Sequence, residues 1–217
     1  MSEFCQDRDL LGIEPGLFLS AGPAGSLLTS GTNGQLTGTS FASSTADFSA
    51  AGLEAGMVLV AYTTIPSEGR ACEIVSVGGP HQLTVSVLRA AAQDPPVAPP
   101  AGSGLSFAVV TYRPQIRQIS AALAEKLRAM VEASPIASAS YADSAQLRLA
   151  AALGTLAGVF LARAESPAPA DANWAKAEHY RQEFARMQMQ LRLAIDADGD
   201  GFAEQTRTLG NVTLRRT

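Results

Sequence analysis

Cysteine and histidine are scarce in this chain, and neither residue type forms a local cluster. The 217 residues include two cysteines and two histidines. Cys5 and Cys72 stand far apart, lack metal-like spacing and give no disulfide framework, which fits a reducing compartment. No pattern of histidine with Asn or Asp accompanies either thiol, as a cysteine nucleophile requires. We therefore predict that the protein is not an enzyme and that His81 and His179 are surface residues.

Positive charge is also in short supply. The formal net charge is −4, and only 17% of the residues are charged. Proteins that bind nucleic acid neutralise phosphates with clustered Lys and Arg, whereas the one local basic feature here is Arg215-Arg216. The Gly-rich segment 22–25 lacks the lysine of a phosphate-binding loop. The composition therefore argues against nucleic-acid binding through the whole fold and against a nucleotide site.

A long apolar run is missing as well. The charge-free segment 149–162 has 14 residues between Arg148 and Arg163, whereas a bilayer span needs about 20. We expect a buried helix there. Residues 1–20 contain five charged side chains, so they do not resemble the basic region and apolar run of a signal peptide. The sequence thus predicts no membrane partner.

What is present is a β-like half. Short runs rich in Val, Leu, Thr and Ile predict strands over residues 57–63, 70–77, 82–88 and 105–112. Segments 26–30 and 35–40 predict two more strands, joined as a hairpin by Gly31-Thr32-Asn33-Gly34, since Asn-Gly tolerates positive φ. Six short strands at close spacing predict a small curled sheet or barrel. The prolines of the tract 94–100 lack amide donors, so we expect an extended loop or an edge there. The tract is either a stiff connector or an arm that contacts a neighbour.

The other half is helical. One apolar stripe predicts a helix from Pro114 that ends at Ser134-Pro135, and a second helix starts at Asp143 or Ser144 and contains Gly154 and Gly158. Because the second helix is apolar nearly all round, we expect it to be the central one. A third helix is predicted from Asp171 or Ala172 to Ile195, with Asp171 as its cap. A short helix or turn is expected over residues 5–13.

These patterns predict an α+β fold: a three-helix bundle with an inserted small antiparallel β-barrel-like domain and an extended C-terminal arm. The expected divisions are an N-terminal helix or turn over residues 1–20 and a β-rich domain over 21–113. They continue with a three-helix domain over 114–195 and an Asp/Gly turn with the extended arm over 196–217.

One motif carries the chemistry of a cation site. Carboxylates at positions 1, 3 and 5 and a glycine at position 6 match the opening of an EF-hand calcium loop, and position 9 supplies a further carboxylate. These residues make calcium the one cofactor that the sequence suggests: Asp196, Asp198, Asp200 and Glu204. Position 12, where a bidentate Glu belongs, is Arg207. The alternative is a polar turn that ends the third helix, with no cofactor.

A family resemblance rests on four features of the chain. They are the leading segment with Asp7-Arg8-Asp9-Leu10-Leu11, the Ala-rich three-helix unit, the helix start Trp174-Ala175-Lys176-Ala177-Glu178-His179-Tyr180 and the Asp/Gly-introduced C-terminus. Together they resemble head–tail connector (adaptor) proteins of tailed bacteriophages. The resemblance covers the N-terminal piece and residues 114–217. The β region would be an insertion that the simplest members lack.

The resemblance implies a structural virion protein in the neck, made in the bacterial host cytoplasm. Such adaptors form a homo-oligomeric ring, commonly a dodecamer, between the portal protein and a tail or stopper protein, and DNA passes through the ring without specific binding. Related adaptors dock on the portal through their C-terminal segments. The portal-binding residues expected here are Leu209, Val212, Leu214, Arg215 and Arg216. The alternative function is a surface or secreted binding module with a calcium-stabilised Asp/Gly turn.

Overall fold

The computed structural model describes residues 3–20, 24–62, 69–130, 145–195 and 205–208. The chain divides into two compact units. The barrel unit is Gln6–Arg113, and the helical unit is Met1–Cys5 together with Pro114–Thr217.

The barrel unit combines a short helix with a closed antiparallel sheet. Helix α1 covers Asp7–Ile13, and a 3-10 turn follows at Pro15–Leu17. The strands are β1 (Ser26–Thr37), β2 (Ser40–Ala42), β3 (Val58–Tyr62), β4 (Gly69–Gly79), β5 (Gln82–Ser86) and β6 (Gly102–Thr111). Their order around the barrel is β1-β2-β5-β4-β3-β6, and β6 pairs with β1 to close it. The leading helix and the four strands expected between residues 57 and 112 are thereby confirmed, and residues 95–100 are in no strand, as expected.

The interior of the barrel is filled by side chains. The rings of Phe41, Phe48 and Phe107 contact one another, with 5.1 Å between the centroids of Phe41 and Phe107. Aliphatic residues of the strands surround these rings, among them Leu59 and Ile74, which are fully buried. A small six-stranded barrel has space for such a core and for little else, because its diameter grows with strand number. The barrel is therefore a packed scaffold.

The predicted hairpin across residues 31–34 is wrong. Those residues lie inside β1, which runs unbroken through three irregular positions against β6, and the turn comes later, where Gly38 has a φ of +59°. Gly31 and Gly34 are needed for close packing: a Cβ atom would lie 2.6 Å from Phe107 Cε1 at Gly31 and 2.7 Å from Phe41 Cζ at Gly34. The glycines thus make room for the aromatic core, with bulges in place of the expected turn.

The helical unit contains α2 (Arg113–Met130, whose first residue belongs to the barrel unit), α3 (Ala145–Arg163) and α4 (Ala172–Gln190). Residues 150–156 of α3 are all buried, as expected of a central helix. Gly154 lies where an added Cβ would be 2.9 Å from Ile119 Cγ2 of α2 and 3.0 Å from Phe184 Cζ of α4. Among the described residues, α3 is the one helix whose length and composition would allow it to span a membrane. The burial of its centre is that of a core helix.

The predicted fold class, a three-helix bundle with an inserted barrel-like domain and an extended C-terminal arm, is wrong. The described residues form four α-helices and a closed six-stranded antiparallel barrel, and α1 belongs to the barrel unit. Helix α4 ends at Gln190 instead of Ile195, and β7 (Arg192–Ile195) then pairs with β8 (Gln205–Thr208). The sequence is ambiguous there, because Leu191 and Ile195 fit both the four-residue spacing of a helix and the two-residue alternation of a strand.

Candidate functional site

The residues predicted to bind calcium or the portal lie outside the described part of the chain. Asp196, Asp198, Asp200 and Glu204 fall within 196–204, and the five portal-binding residues fall within 209–217. Both assignments stay predictions. Among the described residues, no group of three or more His, Cys, Asp or Glu side chains is placed to hold a metal ion.

The segments that flank the predicted sites are described, and they form a hairpin. β7 and β8 pair antiparallel from Arg192 opposite Thr208 to Ile195 opposite Gln205. Segment 196–204 therefore connects two strands, whereas an EF-hand loop connects two helices. The hairpin is a separate two-stranded sheet. A sheet of two strands is marginally stable in water unless something packs on it or extends it.

Helix α4 positions this hairpin. The carboxylate of Asp171 caps the helix by accepting hydrogen bonds from the backbone N–H groups of Asn173 (2.8 Å) and Trp174 (3.1 Å). Tyr180 stacks on Phe160 of α3 with 5.7 Å between ring centroids, and Lys176 Nζ lies 4.9 Å from the centre of the Phe160 ring. At the other end of α4, Leu191 is fully buried immediately before β7. The hairpin thus follows directly on a helix that is itself packed on α3.

The exposed face of α4 carries ion pairs. Arg181 donates two hydrogen bonds to the Glu178 carboxylate, at 2.9 and 2.8 Å, and Arg186 pairs with Glu183. Hydrogen bonding to Arg181 lowers the pKa of Glu178, and the same bond raises the pKa of Arg181. Both pairs are solvent-exposed and contribute little to stability. They keep this face of the helix polar.

Large apolar side chains are nevertheless exposed on both helices. Leu161 of α3 is 54% exposed and Met189 of α4 is 62% exposed, and Leu149 is also exposed. Apolar surface that stays in contact with water in one molecule favours contacts with another. We therefore take α4, the hairpin and these side chains as the candidate interaction surface of the helical unit.

A buried ionic cluster in the barrel unit was not predicted from the sequence. The Glu73 carboxylate lies 2.6 Å from Arg89 Nη2 and 2.9 Å from Arg8 Nη1, the latter an ion pair without hydrogen-bond alignment. Arg8 also donates a 2.8 Å hydrogen bond to the backbone oxygen of Arg89. The sequence signal for it is Glu73 between the apolar residues Cys72 and Ile74. Because these charges are paired with one another, the cluster fastens α1 to the barrel.

Asp7 fastens the same helix at a second point. Its carboxylate accepts hydrogen bonds from Thr111 Oγ1 (2.6 Å) and from the backbone N–H of Tyr112 (2.8 Å). Asp7 and Thr111 are both buried. These polar groups satisfy one another, which is what a buried carboxylate needs to be stable. They hold α1 in place and leave no open site.

The surroundings of the cysteines and histidines are those of residues with a structural role. Cys5 and Cys72 are both buried, and burial raises the pKa of Cys72 to about 11. A thiol with such a pKa is a poor nucleophile at neutral pH, since the thiolate is the reactive form. His81 Nδ1 lies 2.6 Å from the backbone oxygen of Ala46, and both histidines are exposed, as predicted.

Comparison of the chain with protein-family models, with curated proteins and with solved structures gave no match. A function therefore has to be argued from the residues themselves.

Proposed function

We propose that this chain is a structural virion protein, a head-to-tail adaptor that forms an oligomeric ring between portal and tail. The single observation that carries the proposal is the β7–β8 hairpin. It is a two-stranded sheet at the end of an anchored helix, and two strands alone bury too little to be stable in water. A hairpin of this kind becomes stable when another subunit extends or covers it.

Two further features support the proposal. The exposed Leu161 and Met189 give the helical unit apolar surface for contact with a neighbouring copy. The net charge of −4 suits a ring through which DNA passes, because like charges keep the DNA from adhering to the wall. The sequence resemblance to head–tail adaptors points to the same role.

Within this role the C-terminal residues 209–217 bind the portal. Leu209, Val212 and Leu214 alternate in part with polar residues, so the segment can add to a neighbouring protein as a strand. Arg215 and Arg216 supply positive charge at its end. A tail or stopper protein binds the opposite side of the ring, and the complex is located in the neck of the virion.

Electron microscopy of the full chain tests the ring. We expect closed rings of one size, with a matching multiple of the 22.5 kDa chain mass in native mass spectrometry. A second sample changes Leu209, Val212 and Leu214 to serine, which should leave the rings intact and abolish binding to the portal. A protein that stays monomeric at every concentration, alone and with portal, contradicts the proposal.

A further inference from the structure

Over the described residues, one side of β1 has no strand partner along nine of its twelve residues. β1 pairs with β6 from Ser26 to Leu36, whereas its pairing with β2 covers only Gln35 to Thr37. Among the described residues, segment 26–34 of β1 therefore has a strand partner on one side only. The backbone N–H and C=O groups on an open side are able to bind another strand.

This edge lacks charged residues and proline, two of the features that commonly block strand addition. Natural edge strands are commonly blocked by charged residues or proline, and β1 contains neither over its twelve residues. Leu27 is 60% exposed on the same segment. Irregular positions between Leu27 and Thr29 and between Gly31 and Gly34 leave a short regular run between them. Such a run is close in length to the four-residue strands β7 and β8.

We propose that β8 of a second copy of this chain adds to the open edge of β1. The inference rests on the proposed function and identifies the contact that builds its ring. Within the described part of the chain, the hairpin has no third strand and this side of β1 has no strand partner, so one contact completes both. β8 is the better candidate than β7, because β7 follows directly on the buried Leu191.

Charge permits the same pairing. β1 is uncharged, so Arg207 of an added β8 strand meets no charge of like sign on the strand that it joins.

The contact would be head-to-tail. It joins one surface of a copy to a different surface of the next copy. Every subunit therefore contributes its β1 edge to one contact and its hairpin to another. Repetition of such a contact closes into a ring when the rotation between copies divides a full turn.

Disulfide trapping in the full chain tests the inference. Ser30→Cys is combined in turn with Gln205→Cys, Thr206→Cys and Thr208→Cys, because cysteines link only when their Cβ atoms come within about 4 Å. Ser30 is exposed on β1. The matched control combines each hairpin cysteine with Ser49→Cys, an exposed serine outside the strands. Cys5 and Cys72 are buried and so react slowly.

On mild oxidation we expect at least one Ser30 pair to form a ladder of linked chains on a non-reducing denaturing gel, with loss of most of the monomer band. The single-cysteine variants should give dimers at most, and the Ser49 pairs should give no ladder. If every Ser30 pair stays unlinked or links only within one chain, the inference is overturned. Rings in electron micrographs without disulfide linkage would support the adaptor function and contradict the strand addition. Linkage without rings would support the strand addition and contradict the adaptor function.

Discussion

Glu73 and Arg89 form a buried ion pair inside the barrel unit, with 2.6 Å between Glu73 Oε1 and Arg89 Nη2. The Glu73 side chain is 1% exposed, and it also faces Arg8. Two guanidinium groups therefore depend on this carboxylate for their opposite charge. The ion pairs of Glu73 join α1, β4 and the segment after β5, so they help to hold the first helix on the barrel.

Removal of that negative charge should be costly. We expect Glu73→Gln to lower the free energy of unfolding by about 3–5 kcal/mol, since it leaves buried charge without its partner. Urea denaturation followed by circular dichroism measures the change. The control is Glu54→Gln, whose carboxylate pairs with Arg113 at 2.8 Å but is 58% exposed. It should cost less than about 1 kcal/mol. Equal costs for both variants would mean that the buried pair does not support the fold.

Two glycines of α3 should respond in opposite directions to alanine. Gly154→Ala places a methyl group 2.9 Å from Ile119 Cγ2 and 3.0 Å from Phe184 Cζ, so we expect a loss of about 1–3 kcal/mol from overpacking. Gly158→Ala meets no atom within 4 Å and should gain up to about 1 kcal/mol from helix propensity. Thermal melts of both variants measure the two changes in stability. A stabilised Gly154→Ala would show that α2 and α4 do not approach α3 as described.

The cap of α4 predicts a pH dependence. Hydrogen bonds from backbone N–H groups, Trp174 first, lower the pKa of Asp171 in the folded protein. The unfolded carboxyl binds its proton more readily, so the cap stabilises the fold above the unfolded pKa of about 3.9 and loses this effect as the pH falls through the folded pKa. We expect Asp171→Asn to lower the melting temperature at pH 7 and to approach wild type at pH 3.

The control for this experiment is Glu165→Gln. Glu165 bonds to the Asp171 carboxylate through its backbone N–H. The substitution to glutamine retains that backbone group. The melting temperature of this control should follow the wild-type pH curve in the region of the Asp171 titration. A constant difference between Asp171→Asn and wild type from pH 7 to pH 3 would count against a lowered pKa.

The calcium hypothesis for residues 196–204 is tested by titration. If Asp196, Asp198, Asp200 and Glu204 hold the ion, calcium should raise the melting temperature as its concentration exceeds the dissociation constant. Asp196→Ala should remove the rise, because it deletes the carboxylate at position 1 of the loop. Magnesium at the same concentration controls for ionic strength. A melting temperature that calcium leaves unchanged favours the polar-turn interpretation.

Local chemistry made several elements predictable. The N-cap of α4 was identified because Asp171 and the two helix amides that it caps, those of Asn173 and Trp174, lie within three residues of one another. Strands β3 to β6 were identified because alternating apolar residues and Gly/Pro turns are short-range signals. The leading helix and the central position of α3 followed in the same way, from acidic residues near a helix start and from an apolar surface on all sides.

Contacts between distant residues decided the rest. Gly31 and Gly34 carry a turn signal, but the rings of Phe107 and Phe41 use the space beside them, and the segment stays in β1. Residues 192–195 fit a helix and a strand equally well until they pair with 205–208. The buried cluster joins Arg8 to Arg89 across 81 residues. The sequence by itself therefore determined elements whose stabilising partners are a few residues away. Tertiary structure decided the turn, the hairpin and the ionic cluster, because their partners are distant in the chain and become neighbours only on folding.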